Sequence, residues 1–139
     1  MAWNCSYRCV PILILAGLVA PVEAQVGDRV PKQVALIVES NALIASNVRA
    51  SNFDELKFNA QERVDRSSVG DAVIIVVTNQ RIIAYGVVSG WRTVPRIASE
   101  RIERVEAEDY AGLVVSNRRF LNFNGETGVW GERDRRVGQ

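Results

Sequence analysis

The chain predicts an all-β domain assembled from three repeated units of about 38 residues, and three observations carry that expectation. The segment Val76-Val77-Thr78-Asn79-Gln80-Arg81-Ile82-Ile83-Ala84-Tyr85 returns as Val114-Val115-Ser116-Asn117-Arg118-Arg119-Phe120-Leu121-Asn122-Phe123, each position shifted by 38. The same offset carries Gln61 to Arg66 onto Ser99 to Arg104, and Ala35-Leu36-Ile37-Val38 onto Val73-Ile74-Ile75-Val76. It also aligns Phe53 with Trp91, and Trp91 with the Val129-Trp130 pair. A period of this length marks one supersecondary element that cannot bury its apolar face alone, so the units must stack or close around a shared axis.

Taken in chain order, residues 1–24 read as an export signal. Arg8 supplies a positive charge, Val10 to Ala20 an apolar stretch, and Val22-Glu23-Ala24 a small-residue cleavage site before Gln25. The run is broken by Pro11 and stopped by Pro21, well short of the roughly 20 residues of a membrane helix. The alternative is an uncleaved anchor formed by residues 9–22. Residues 25–139 then form one repeat-built β domain, with units at about 33–70, 71–108 and 109–139, the last completed by 25–32. Joining first and last segments in this way removes an exposed sheet edge.

Each unit is expected to hold about four antiparallel strands. Ala72 to Thr78 is a continuous run rich in β-branched residues, as a strand buried on both faces requires. Arg81 to Val88 and Arg119 to Phe123 follow the pairs Thr78-Asn79 and Ser116-Asn117, whose asparagines tolerate the left-handed conformation of a tight hairpin. Gly90 and Gly128 precede the aromatic position, where a bend is expected. Thr93 to Ala98 and the segment Ile102 to Glu106 complete the set. Asn52 to Arg66 and Ala98 to Val105 admit a helix as the alternative, and the charged tail from Gly131 to Gln139 is expected to fray.

Composition removes whole classes of chemistry. There is no histidine, and both cysteines, Cys5 and Cys9, lie in the export signal, so serine–histidine, cysteine–histidine and zinc sites are excluded from the mature domain. Gly86-Val87-Val88-Ser89-Gly90 places its serine one position late for a nucleophile elbow, and phosphate-cradling glycine loops are missing. Without Arg8 and Glu23 the charge is 16 basic against 15 acidic residues, which predicts no bulk attraction to nucleic acid or to an acidic membrane. Membrane contact is expected only through an uncleaved N-terminal segment.

An enzyme would have to rely on carboxylates, and no cofactor is expected. Glu106, Glu108 and Asp109, with Asp71 equivalent to Asp109, form a candidate hard-cation or acid–base cluster, the alternative being a solvated turn. The adjacent pairs Glu62-Arg63 and Glu100-Arg101 are expected to tie units together as exposed ion pairs, each contributing roughly 0 to 1 kcal/mol. Trp91 and Trp130 are interface fillers or platforms for a glycan. Arg81 and Arg119, beside Asn79 and Asn117, are candidate anion-binding residues, although repeat one has Leu43 or Ala42 at the arginine position.

Units of this length with four strands and a recurring turn are similar to β-propeller blades. Three blades are too few for a ring, which implies a dimer of six. The stretch Leu113 to Trp130 looks like one unit of a bulb-type mannose lectin prism, with Val115, Asn117, Arg119 and Phe123 where that family carries its polar sugar-binding series. Thr78 to Ile83 followed by Glu100 to Val105 resembles the core of bacterial pleckstrin-homology-like and GRAM domains, over about 30 residues. The expected function is an exported, non-enzymatic binding or structural module in the periplasm or outside the cell. It is expected to act as an oligomer, with itself or other envelope proteins as partners. The alternative is a lectin-like carbohydrate or anion binder.

Overall fold

A computed structural model describes residues 30–136. The export signal, its cleavage after Ala24, the segment Gln25 to Arg29 and the last three tail residues lie outside that range.

Among the described residues every regular element is a strand. The first sheet is β1 (Val34–Val38), β2 (Ala42–Asn47) and β3 (Asn52–Lys57), in that order. The second runs β4 (Val64–Val69), β5 (Val73–Thr78), β6 (Arg81–Gly86) and β7 (Gly90–Pro95). The third runs β8 (Ile102–Glu108), β9 (Ala111–Ser116), β10 (Arg119–Asn124) and β11 (Val129–Asp134). All neighbours are antiparallel, and no sheet closes into a barrel. The helical alternatives over 52–66 and 98–105 are not formed: β3, β4 and β8 occupy them, because ladder bonds to a neighbouring strand satisfy those backbones.

The second sheet lies between the other two. On one face Ile74, Val76, Ile83 and Tyr85 pack with Val34, Leu43 and Ala45 of the first sheet. On the other, Val73, Ile75, Val77 and Ile82 pack with Val114, Leu121 and Phe123 of the third. Alternate side chains of one strand point to opposite faces, so β5 feeds both cores and is buried along its whole length, as its unbroken apolar run requires. Close approach is set by small residues: a Cβ on Gly112 would lie 2.3 Å from Ile75 Cδ1.

Sheet boundaries fall in the loops after β3 and β7. The positions 70/71 and 108/109 lie instead at hairpins inside the second and third sheets, where β4 pairs β5 and β8 pairs β9. The third sheet has four strands of its own, and the first has three among the described residues. One residue of slippage also separates the structural repeat from a fixed offset of 38. The β6–β7 connection, Val87 to Ser89, is one residue shorter than Val48 to Ser51 in the first sheet and Gly125 to Gly128 in the third. Consequently Val34, and not Ala35, is the counterpart of Val73, and Trp130, opposite Phe123, is the counterpart of Trp91, opposite Tyr85.

Two turn expectations change. Gly90 and Gly128 have φ of +72° and +71°, as the bends require. Asn79 and Asn117 do not adopt positive φ; Gln61 and Ser99 do, at 60° and 63°, and the asparagines bond across to that turn. The tail is ordered through Arg135, because β11 pairs β10 and Arg135 N–H donates to Arg118 O at 2.8 Å.

Candidate functional site

The most concentrated polar chemistry is a buried clasp that occurs twice, once at each joint between sheets. In the first, the loop after β3 turns Glu62 inward. Its Oε1 accepts Arg81 Nε–H and the Thr78 hydroxyl, both at 2.8 Å, and its Oε2 accepts Asn59 N–H at 2.7 Å and Arg81 Nη2–H at 3.0 Å. Arg81 Nη2 also donates to Lys57 O at 2.9 Å, at the end of the preceding sheet.

The second clasp repeats these contacts. Glu100 Oε1 accepts Ser116 Oγ–H and Arg119 Nε–H at 2.9 Å, and Oε2 accepts Ile97 N–H at 3.0 Å and Arg119 Nη2–H at 3.2 Å. Arg119 Nη2 reaches Pro95 O at 2.6 Å, and its Nη1 reaches Glu132 Oε1 at 3.0 Å. Glu62 and Glu100 side chains are fully buried.

Electrostatics follow from that geometry. Burial alone raises the carboxyls of Glu62 and Glu100, but the arginine, backbone and hydroxyl donors outweigh it and hold both below the usual carboxylate range. Burial likewise lowers Arg119, while Glu100 and Glu132 more than restore it. The charged state of Glu62, Glu100 and Arg119 is therefore their resting state.

The glutamates were legible from the repeat, but their partners were not. They bond Arg81 and Arg119 rather than Arg63 and Arg101, and the pairs are buried rather than exposed. Adjacent strand or turn residues point apart, whereas a hairpin 19 residues on returns an arginine to the same place. Arg81 and Arg119 thus spend their forks inside the protein. Asn79 and Asn117 serve the same turn: Asn79 Oδ1 accepts Arg63 N–H at 2.9 Å and Asn117 Oδ1 accepts Arg101 N–H at 2.7 Å.

A second repeated arginine escaped the fixed offset. Arg96 bonds Asp65 and Thr78 O at 3.1 and 3.0 Å, and Arg135 bonds Glu103 and Ser116 O at 2.6 and 3.1 Å. Allowing the one-residue slip in the last strand would have paired them.

Trp91 lies 4.9 Å from the Tyr85 ring and donates Nε1–H to Asp54 O at 3.1 Å. Trp130 lies 5.0 Å from the Phe123 ring, and its buried Nε1 has no partner among the described residues. Around Tyr85 the first joint carries its own network: Asn47 Nδ2 donates to Tyr85 Oη at 2.8 Å and to Val87 O at 2.9 Å, and the Tyr85 hydroxyl donates to Asp54. Burial, aided by the Asp54 carboxylate, pushes the Tyr85 hydroxyl up to about 12.

Around Glu106, Glu108 and Asp109 no group of three or more potential metal ligands gathers among the described residues, and Glu106 Oε1 lies 3.3 Å from Arg104 Nε. Glu106 and Glu108, two apart on β8, share the outer face of the sheet, and Asp109 follows in the turn with a φ of 43°. Ser89 donates to Gly125 O at 2.9 Å, a bond between sheets.

Two outer faces complete the picture. Among the described residues, the uncovered face of the first sheet presents Ala35, Ile37, Ile44 and Phe53, the last 69% exposed. That of the third presents Ala111, Leu113, Val115 and Phe120. Beside the latter runs a groove of about 740 Å³, lined by Val30, Tyr110, Asn122, Asn124 and Val129 among others. No protein-family model and no curated protein matches the chain.

Proposed function

We propose that the chain is an exported, non-enzymatic structural or protein-interaction module, acting as an oligomer or as an accessory subunit of a cell-envelope assembly. The observation that carries this reading is the use made of the reactive groups. Both buried carboxylates and both clasp arginines are consumed in joining sheets, and each outer sheet keeps an exposed face that carries apolar side chains. Repetition suits such a role because it builds broad surfaces from small units.

The test is site-specific photo-crosslinking in intact producing cells, with the reactive residue at Phe53 or Phe120 and a control at Glu126. Adducts of defined mass from the face positions alone support the reading, and their absence at both refutes it. N-terminal sequencing of the same material tests export, which requires Gln25 as the first residue. The lectin-like alternative draws on the groove beside Tyr110, whose asparagines offer paired donors and acceptors next to an aromatic ring. Retention of the chain on immobilised glycans, lost in Asn122→Ala, would favour it instead.

A further inference from the structure

The three sheets are related by one repeated step, and the step has a direction. The face that the first sheet turns to the second holds Val34, Leu36 and Leu43. Its counterpart on the second sheet, Val73, Ile75 and Ile82, is turned to the third. The next counterpart, Ala111, Leu113 and Phe120 on the third sheet, is turned outward. In the opposite sense, Val114, Leu121, Phe123 and Trp130 of the third sheet meet the second, and Val76, Ile83, Tyr85 and Trp91 of the second meet the first. Their counterparts on the first sheet, Ile37, Ile44, Ser46 and Phe53, are uncovered.

Each free face is therefore the structural counterpart of a face buried inside the chain, and the two are opposite halves of the same joint. We propose that they mate between molecules: the third sheet of one copy docks on the first sheet of a second copy, head to tail, by the step that stacks the sheets internally. This rests on the reading of the chain as an interaction module, and it names the partner as the chain itself.

The chemistry of both faces suits the union. Each face carries an exposed aromatic, Phe53 at 69% and Phe120 at 38% exposure. The charges balance on each face, Glu55 with Lys57 on one and Arg104 and Arg133 with Glu106 and Glu108 on the other, so no like-charge field opposes contact. The faces lie at opposite ends of the stack, so one N-terminal segment could cover only one of them, whereas a second copy covers both kinds at once.

Three strands of five or six residues give a footprint of roughly 300 Å² per joint. A standard interface uses about 800 Å² per partner, so a single joint is weak and a closed pair with two joints is much firmer. The intermolecular joint also lacks one internal feature: Ala42 stands where Arg81 and Arg119 stand in the other sheets, so no clasp arginine crosses it. The contact is heterologous, which closes into a pair if the rotation allows and otherwise extends as a filament.

The test uses purified full-length chain and the solution mass from light scattering on a sizing column, for wild type, Phe53→Asp and Phe120→Asp. Both substituted positions are exposed, and unchanged circular dichroism and thermal midpoint verify the fold. The expected result is a wild-type mass of two chains or a higher multiple, a mass of one chain for each variant alone, and recovery of a two-chain species when the variants are mixed. Mixing restores one intact joint because each variant spoils a different half. A monomeric wild type overturns the proposal, as does a variant that keeps full assembly, which would indicate like-with-like pairing or another surface. A mixture that stays monomeric even at the highest concentration at which each variant alone is monomeric also overturns it. If the wild type is monomeric yet Phe53 crosslinks to another protein in cells, self-assembly fails and the interaction module stands; if crosslinking fails too, both fall.

Discussion

Glu100→Gln tests the buried clasp most directly. The substitution keeps shape and one acceptor oxygen but removes the charge and turns an amide toward donors. In the native clasp four donors converge on the carboxylate, from Ile97, Ser116 and two nitrogens of Arg119. A glutamine that keeps its oxygen toward Ser116 and Arg119 Nε presents its NH2 to the N–H groups of Ile97 and Arg119 Nη2. Arg119 then remains buried with the glutamine oxygen at Nε, Glu132 and the Pro95 carbonyl as its acceptors, and with no carboxylate at the Glu100 position. Removing one partner of a buried, hydrogen-bonded pair costs about 3 to 5 kcal/mol; the retained bonds and Glu132 place this case near the lower end, about 3 kcal/mol. For a domain of this size that is roughly 12 °C in thermal midpoint, and a large share of the typical 5 to 15 kcal/mol of total stability.

The assay is urea unfolding followed by circular dichroism, with Arg133→Gln on the exposed face as a control expected to change stability by less than about 0.5 kcal/mol. Glu100→Leu combined with Arg119→Met should not recover stability, because Ile97 N–H and Pro95 O lose the partners the clasp supplies, while Ser116 Oγ keeps only its local bonds to Arg118 and Arg119. A Glu100→Gln cost below about 1 kcal/mol would refute the clasp as described.

Four further outcomes follow from the same geometry. Glu62 and Glu100 have folded pKa values below their ordinary 4.5, so their contribution is present above that pH and is lost as pH falls through the lower folded values; acid titration should unfold the wild type there and blunt the transition in Glu100→Gln. Tyr85 runs the opposite way: raised from 10 to about 12, it stabilises fully below pH 10, and that share is lost as pH rises through 12, so Tyr85→Phe should remove the alkaline decline seen by tyrosinate absorbance. Trp91→Phe should cost about 1 kcal/mol more than Trp130→Phe in urea unfolding, because only Trp91 loses a hydrogen bond. Gly112→Ala should destabilise by about 1 to 3 kcal/mol, its methyl meeting Ile75 across the joint, whereas Gly131→Ala should cost less because the side chain it meets, Asn122, is exposed and free to turn.

Much of the architecture was written in one dimension. The repeat, the all-β class, the doubly buried β5 and the bends at Gly90 and Gly128 are local or periodic properties, and backbone sterics and side-chain alternation translate them directly into strands. The recurrence of Glu62 as Glu100 and of Arg81 as Arg119 was equally plain. What those residues do was not, because a fixed offset shows which positions are equivalent within a unit and says nothing about which of them meet. Hairpin return brought Glu62 to Arg81, and burial converted an expected surface pair into an internal strut. The one-residue difference between the β6–β7 connection and its counterparts, invisible to a rigid alignment, moved Trp130 opposite Phe123 and concealed the kinship of Arg96 and Arg135. Sequence by itself determined the all-β, antiparallel character of the chain, because patterning acts strand by strand; only tertiary structure decided which faces are consumed and which are left over, because burial depends on the neighbour a sheet acquires.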